Sequence, residues 1–253
     1  MAASPPQPVR VAAGHEDEPA RRLASQDWFR VDAELDRDGV SVLPALLSAA
    51  ECSGLAGLYD TGGPRTFRSK VVMARHGFGL GEYKYFDYPL PEMLSRLRTA
   101  LYGHLVATAN RWDAMLGLEP SFPPSHAEYL QRCHAAGQTR ATPLMLRYAA
   151  GDFNCLHQDL YGAVAFPLQA VILLSAPEDE FEGGELVLTE QRPRMQSRPQ
   201  VVPLGQGDAA VFAVSHRPVK GSRGFHRVNM RHGVSRIRSG TRTTVGLIFH
   251  DAA

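Results

Sequence analysis

The chain has 253 residues, 44% of them hydrophobic and 21% charged, with a formal net charge of +1; this is an ordinary globular composition that excludes pervasive disorder and suits one large domain or two small ones. No run approaches the roughly 18 apolar residues of a membrane span, and the opening MAASPPQPVRVAAGHEDEPARR has no apolar centre of a secretory signal, so the expected location is the cytoplasm. Cys52, Cys133 and Cys155 are scattered without CxxC spacing, which argues against a disulfide framework or structural zinc and for reduced thiols.

Residues 1–24, rich in Ala, Pro and charge, read as a flexible tail. The remaining 25–253 read as one domain, helical over about 25–137 and β-rich over about 138–253, with no repeat of solenoid length. Short helices are expected at 28–37 and 48–59, the second opened by Ser48 with Glu51 at capping-box spacing. From Glu92 to Leu116 the apolar positions Leu94, Leu97, Leu101, Leu105, Ala109, Trp112 and Leu116 recur every three or four residues, between Pro91 and Gly117, as in an amphipathic helix packed on a sheet. A further helix is expected at 125–136. The β-prone runs TPLMLRYA, FNCLHQDL, LQAVILLS, GELVLTE, QVVPL, DAAVFAV and TRTTVGLIFH follow, divided by turn residues, and indicate a sandwich or jelly-roll barrel. Helices before strands argue against a doubly wound parallel sheet.

The charge is unevenly placed. Residues 1–190 hold 16 Lys/Arg against 24 Asp/Glu, whereas 191–242 hold 11 against the single acid Asp208. Either the second half presents one basic face to an anionic partner, or its arginines pair with the acidic half across the fold.

His157 and Asp159 lie two residues apart, so on a strand both project from one face toward a common point. Such a pair arises often by chance, but RHGVSRIRSGTRTTVGLIFH places His232 before the last run, and two imidazoles with one carboxylate make the facial triad that suits iron(II) and leaves positions open. Zinc prefers a closed tetrahedral shell; manganese could use the same ligands. Arg242 and Thr244 form another i, i+2 pair on a run that reads as buried, and a guanidinium fork with a hydroxyl can grip a carboxylate inside a barrel.

Through RYAAGDFNCLHQD, EGGELVL, RHGV and SGTRTT the chain resembles the iron(II)/2-oxoglutarate-dependent dioxygenase superfamily, in the style of its prolyl-hydroxylase-like members. More closely, residues 65–252 resemble a bacterial oxygenase family described as acting on damaged DNA. The resemblance implies an α+β fold, a double-stranded β-helix (jelly-roll) core with N-terminal helices packed on the sheet. It implies His157, Asp159 and His232 as iron(II) ligands, Arg242 on the distal carboxylate of 2-oxoglutarate, and Tyr148 and Thr244 beside it. Dioxygen would be the other co-substrate and ascorbate a supporting reductant. His226 rivals His232, since Arg236 lies ten residues beyond it as Arg242 lies beyond His232; HGV followed by Gly-x-Arg favours His232.

Substrate class rests on RTFRSKVVMARHGFGLGEYKYF at 65–86, which interleaves Arg68 and Lys70 with Phe78, Tyr83 and Tyr85. Cations can hold phosphates while rings stack on bases; the competing reading is an ordinary β-hairpin with aromatics facing the core. The first reading makes the expected activity oxidation, including demethylation, of modified nucleobases in DNA or RNA. A protein side-chain hydroxylase of prolyl type is the alternative, and a non-catalytic metal- or nucleic-acid-binding β-helix module is the alternative of another class.

Overall fold

The structure, a computed structural model, describes residues 18–253. Residues 1–17 of the expected tail lie outside the described residues. The expectation is corrected at 18–24, which form helix α1 (Glu18–Ala24), because Pro19 and Leu23, one turn apart, bury against the next layer.

The chain continues through α2 (Trp28–Asp38), β1 (Val40–Leu43), α3 (Ala49–Thr61), β2 (Phe67–Val72), a 3-10 turn at Met73–His76, β3 (Gly79–Leu80) and β4 (Glu82–Phe86). Helices α4 (Glu92–Met115) and α5 (His126–Ala135) precede β5 (Leu144–Ala149), β6 (Phe153–His157), β7 (Leu168–Leu173), β8 (Phe181–Gly183) and β9 (Leu186–Gln191). The last strands are β10 (Arg198–Val202), β11 (Ala209–Ala213), β12 (His216–Gly221), β13 (Gly224–Val234) and β14 (Ile237–Ile248). The four expected helices form, α3 with its full Ser48–Glu51 capping box. All seven expected β-runs form strands, and the β12–β13 hairpin is an addition within the core. The half expected to be helical also contributes β1 to β4 to the sheets.

Two antiparallel sheets face each other, as the jelly roll requires. One runs β1-β11-β7-β14-β5-β4-β2 with β8 on β14; the other runs β10-β9-β13-β6-β3 with β12 on β13. Both faces of the larger sheet are covered. On β14, Val245 and Leu247, followed by Phe249 just past its end, point into the main core with α4's Leu94, Leu97, Leu101, Leu105 and Trp112, while Arg242, Thr244, Gly246 and Ile248 line an internal cavity. β7 alternates likewise, Leu168, Ala170 and Ile172 to the helices and Gln169 and Val171 to the cavity. This two-fold period, with both sides buried, is why these strands read as near-continuous apolar runs.

The end of β14 is locked by an ion pair that the sequence did not announce. Arg98 of α4, 1% exposed, meets Asp251, 0% exposed, at 2.9 Å, and its guanidinium also donates to the Tyr88 hydroxyl and the Ile248 carbonyl. Removing one partner of a buried pair strands the other charge, at a cost of about 3–5 kcal/mol. Arg98→Ala should therefore lower the unfolding free energy by that order in urea melts, whereas reversing exposed Arg65 should leave it within about 0.5 kcal/mol.

Candidate active site

β6 and β13 pair so that His157 and His232 stand directly opposite each other. Their rings are 4.2 Å apart, and a ligand atom from each of His157, Asp159 and His232 falls within 4.8 Å of the others. Two details differ from the sequence expectation. β6 ends at His157, so Asp159 reaches the cluster from the following loop, and His232, ahead of the last strand β14 as expected, itself lies on a strand, β13. His226 is six residues upstream on β13, opposite Val219, about 20 Å along the strand. It does not join the cluster.

The cluster has the donor set and tautomers of a facial metal site. His157 Nδ1 is 2.8 Å from the Cys155 carbonyl, which can only accept, so Nδ1 carries the proton and Nε2 presents its lone pair. Burial alone would raise the Asp159 carboxyl; bonds to His157 and His232 outweigh it and hold that group well below the usual carboxylate range. Burial pushes His232 down, toward the neutral imidazole a metal needs, while for His157 the neighbouring Asp159 overcomes burial and shifts it up. Each carboxylate oxygen also has a donor of its own. Tyr161 donates to Oδ1 at 2.7 Å and the Gln169 amide to Oδ2 at 2.9 Å, the amide lying 3.1 Å from His232 Nε2 as well. Sequence reading missed both residues: Tyr161 lies in the loop after β6, where no periodicity announces it, and Gln169 was hidden in an apolar strand.

The cluster lines the cavity, about 340 Å³, together with Arg242, Tyr148 and Thr244. Arg242 faces Tyr148 across the β14–β5 ladder, and all three are buried. Burial lowers Arg242 to about 10, still far above neutrality, so it remains a cation. Its Nε and Nη1 are buried without a hydrogen-bond partner among the described residues. Orphaned guanidinium donors are costly unless an acceptor arrives, so this wall fits a carboxylate. Arg236, the counterpart of Arg242 beyond His226, sits 5.6 Å over the Phe153 ring, and the neighbouring Arg238 approaches Glu185 at 3.8 Å.

The EGGELVL motif has a steric role at this wall. Gly184 adopts φ +64°, and a Cβ there would stand 2.2 Å from Ile237 Cδ1 and 2.8 Å from Arg242 Cδ. Gly184→Ala should therefore displace Arg242 and weaken binding of a dicarboxylate such as 2-oxoglutarate by calorimetry. The expected loss is roughly ten-fold or more, with the fold retained, because left-handed strain costs only about 1–2 kcal/mol.

Of the expected substrate residues, Phe78 and Tyr83 line the cavity. Arg68, Lys70 and Tyr85 are corrected. Arg68 donates to the Ala141 carbonyl and covers the Tyr85 ring at 4.3 Å, Lys70 pairs with Glu82 at 2.6 Å, and Tyr85 is buried at 9% exposure. They close the β2–β4 hairpin on its own neighbours, as the ordinary-hairpin reading held. The segment between them differs: β3 crosses to the smaller sheet, pairing with β6, which brings Phe78 to the cavity mouth stacked on His76. The arginine-rich stretch is also partly internal, with Arg217 and Arg192 on the buried Glu190. No helix among the described residues is long and apolar enough to cross a membrane.

A family model described as an oxygenase catalysing oxidative methylation of damaged DNA matches residues 81–252. Uncharacterized proteins from two strains of Mycobacterium tuberculosis are 54% identical over 168 residues, 66% of this chain and 72% of theirs. Among solved structures, a Pseudomonas putida prolyl-4-hydroxylase superposes with TM-score 0.53 at 16% identity, covering 89% of this chain and 99% of that one. A Burkholderia pseudomallei oxidoreductase of the 2OG-Fe(II) oxygenase family gives 0.51 at 19%, covering 90% and 94%. A Trichoplax adhaerens prolyl hydroxylase, solved with a hypoxia inducible factor peptide fragment, gives 0.56 at 15%, covering 88% and 89%. At these identities the likeness is one of fold.

Proposed function

Since the chain belongs to the Oxygenase-NA family, with the jelly-roll fold of 2OG-Fe(II) oxygenases, we propose that it is an iron(II)/2-oxoglutarate dioxygenase that oxidises modified nucleobases in DNA or RNA. The observation that carries the chemistry is one cavity holding both the His157–Asp159–His232 cluster and the unpartnered donors of Arg242. Iron(II) with 2-oxoglutarate, when bound, supplies an oxidant formed from dioxygen as the oxo acid loses carbon dioxide and becomes succinate. A methyl group on a heteroatom, once hydroxylated, collapses with loss of formaldehyde, so hydroxylation and demethylation are one chemistry.

The protein's own residues hold and shield that chemistry. His157, Asp159 and His232 are the ligands, with Gln169 and Tyr161 setting the plane of the carboxylate. Arg242, flanked by Tyr148 and Thr244, takes the distal carboxylate of 2-oxoglutarate. Leu146, Val171, Leu186, Phe212 and Ile248 line the cavity with apolar surface that excludes water. Phe78 and Tyr83, at the mouth, offer flat faces to a base met in a single strand or flipped from a duplex. The helices and both sheets act as one catalytic domain, 25–253, with α1 packed in front; its proposed location is the cytoplasm.

The test is incubation with iron(II), 2-oxoglutarate, ascorbate and oligonucleotides carrying single methylated bases, with mass spectrometry of the bases and succinate measured together. Succinate release coupled to loss of a base methyl group is expected. Turnover coupled instead to a proline-containing peptide would replace the nucleobase reading with side-chain hydroxylation, and no succinate with any substrate would leave a binding module.

A further inference from the structure

The nucleobase reading leaves open where the charged backbone of such a substrate would lie. The residues first expected to hold it, Arg68 and Lys70, already have partners in the Ala141 carbonyl and Glu82. The basic stretch after residue 190 remains, and the strands divide it by face. Along β13, Val228, Met230 and His232 are buried, whereas Arg227, Asn229 and Arg231 are exposed on the outer side of the smaller sheet. β9 sets Thr189 beside Arg231 and Gln191 beside Asn229. The side chains of Thr189, Gln191, Asn229 and Arg231, with Ser197, Leu156 and Gln158, line a groove of about 170 Å³.

Basic residues outnumber acids along the strands that build this face. Between residues 186 and 234 the acids are Glu190 and Asp208. Glu190 is 5% exposed and neutralised by Arg217 and Arg192; Asp208 caps the turn at Gly205 and bonds the Ala45 amide. Arg194 is exposed in the turn after β9, and Lys220 and Arg223 are exposed at the tip of the β12–β13 hairpin, about 20 Å along the strand from Arg231. Arg227 lies near Asp113, but Arg231 has no ion-pair partner among the described residues. An arginine beside hydroxyl and amide donors, without an ion-pair partner of its own among the described residues, is complementary to phosphates.

The groove also leads to the cavity. Leu156 and Gln158 line both, Leu156 next to His157 and Arg231 next to His232, with alternate residues on opposite faces of the sheet. A chain lying in the groove reaches the mouth over the end of β6, where Leu156 (44% exposed) and Phe78 (48% exposed) offer apolar surface for sugar and base. An acidic peptide would satisfy the arginine but has no use for that flat apolar rim.

We infer that the outer groove of the smaller sheet, centred on Arg231 with Thr189, Gln191 and Asn229, binds the phosphodiester backbone of the nucleic acid whose base enters the cavity. The inference rests on the nucleobase reading, and its test separates the two. The full chain, loaded with iron(II) and 2-oxoglutarate under nitrogen, is titrated into a fluorescein-labelled single-stranded oligodeoxynucleotide of about 12 nucleotides, and anisotropy is read across a range of potassium chloride. Wild-type affinity should fall with salt at about 0.7 log units per neutralised phosphate. Arg231→Glu should weaken low-salt binding about ten-fold or more and cut the slope by roughly one or two phosphates, and Arg231→Gln should fall between. Arg65→Glu, the same charge change in the loop before β2, should shift affinity only slightly, and thermal melting should show all variants folded. Equal effects of Arg231→Glu and Arg65→Glu would overturn the groove while leaving the nucleobase reading intact. No wild-type binding, with no oxidation of any base, would overturn both. Tighter, Arg231-dependent binding of a polyglutamate peptide would assign the face to a protein partner and overturn the inference.

Discussion

His157→Ala, Asp159→Ala and His232→Ala should each abolish turnover and stoichiometric iron(II) binding, measured by metal analysis after anaerobic loading and desalting. Three protein ligands leave no reserve: the loss of one removes a third of the donor set that the β6–β13 ladder brings within 4.8 Å. The effect should exceed that of removing a residue that only orients a ligand, about 10–100-fold in metal affinity. Gln169→Ala supplies that comparison, since the amide touches both Asp159 and His232 without replacing either. His226→Ala, on the same strand but outside the cluster, should bind iron as the wild type does. Iron retained by His232→Ala and lost in His226→Ala would reverse the assignment of the third ligand.

Local signals made the helices and half the site legible. The apolar stripe of α4 and the Ser48–Glu51 box are short-range patterns, and Leu94, Leu97, Leu101, Leu105, Ala109 and Trp112 are all buried as their spacing required. Arg242 with Thr244 was visible because a two-residue spacing on β14 puts both members toward one side; the same spacing drew out His157 with Asp159, although Asp159 reaches the site from the loop beyond β6. β13 was not visible as a strand. Its outward residues Arg227, Asn229 and Arg231 break the apolar run, and its inward alternation of Val228, Met230 and His232 has a polar residue at the site itself. The opposition of His157 and His232 is a pairing across 75 positions, and Gln169 becomes polar machinery only because β7 buries both faces. The aromatic-basic segment misled for a related reason: composition cannot say which cations already have partners, and Glu82 and the Ala141 carbonyl, from other strands and loops, had taken Lys70 and Arg68.

Arg242→Ala should weaken 2-oxoglutarate binding strongly while leaving iron binding nearly intact, because the guanidinium is on the cavity wall and is not among the ligand cluster. Removing a hydrogen-bonded charge from a buried carboxylate costs about 2–5 kcal/mol, which is roughly 30-fold to several thousand-fold in the dissociation constant. Calorimetric titration of 2-oxoglutarate into protein loaded with manganese(II), which does not turn over, reads this directly and separates it from chemistry. Arg242→Lys should recover only part of the loss, since an ammonium offers a point charge where the guanidinium offers a fork. The apo protein carries an opposing signature. With Nε and Nη1 of Arg242 buried and unpartnered, the residue costs stability until an acceptor arrives. Arg242→Met, of similar length and without a charge to bury, should therefore melt at or above the wild-type temperature without ligand, and 2-oxoglutarate should raise the melting temperature of the wild type far more than that of the variant. Undiminished 2-oxoglutarate affinity in Arg242→Ala would remove Arg242 as the anchor and return attention to Arg236 and Arg238; a lower melting temperature for ligand-free Arg242→Met would show that the guanidinium is satisfied within the fold and not kept for a substrate.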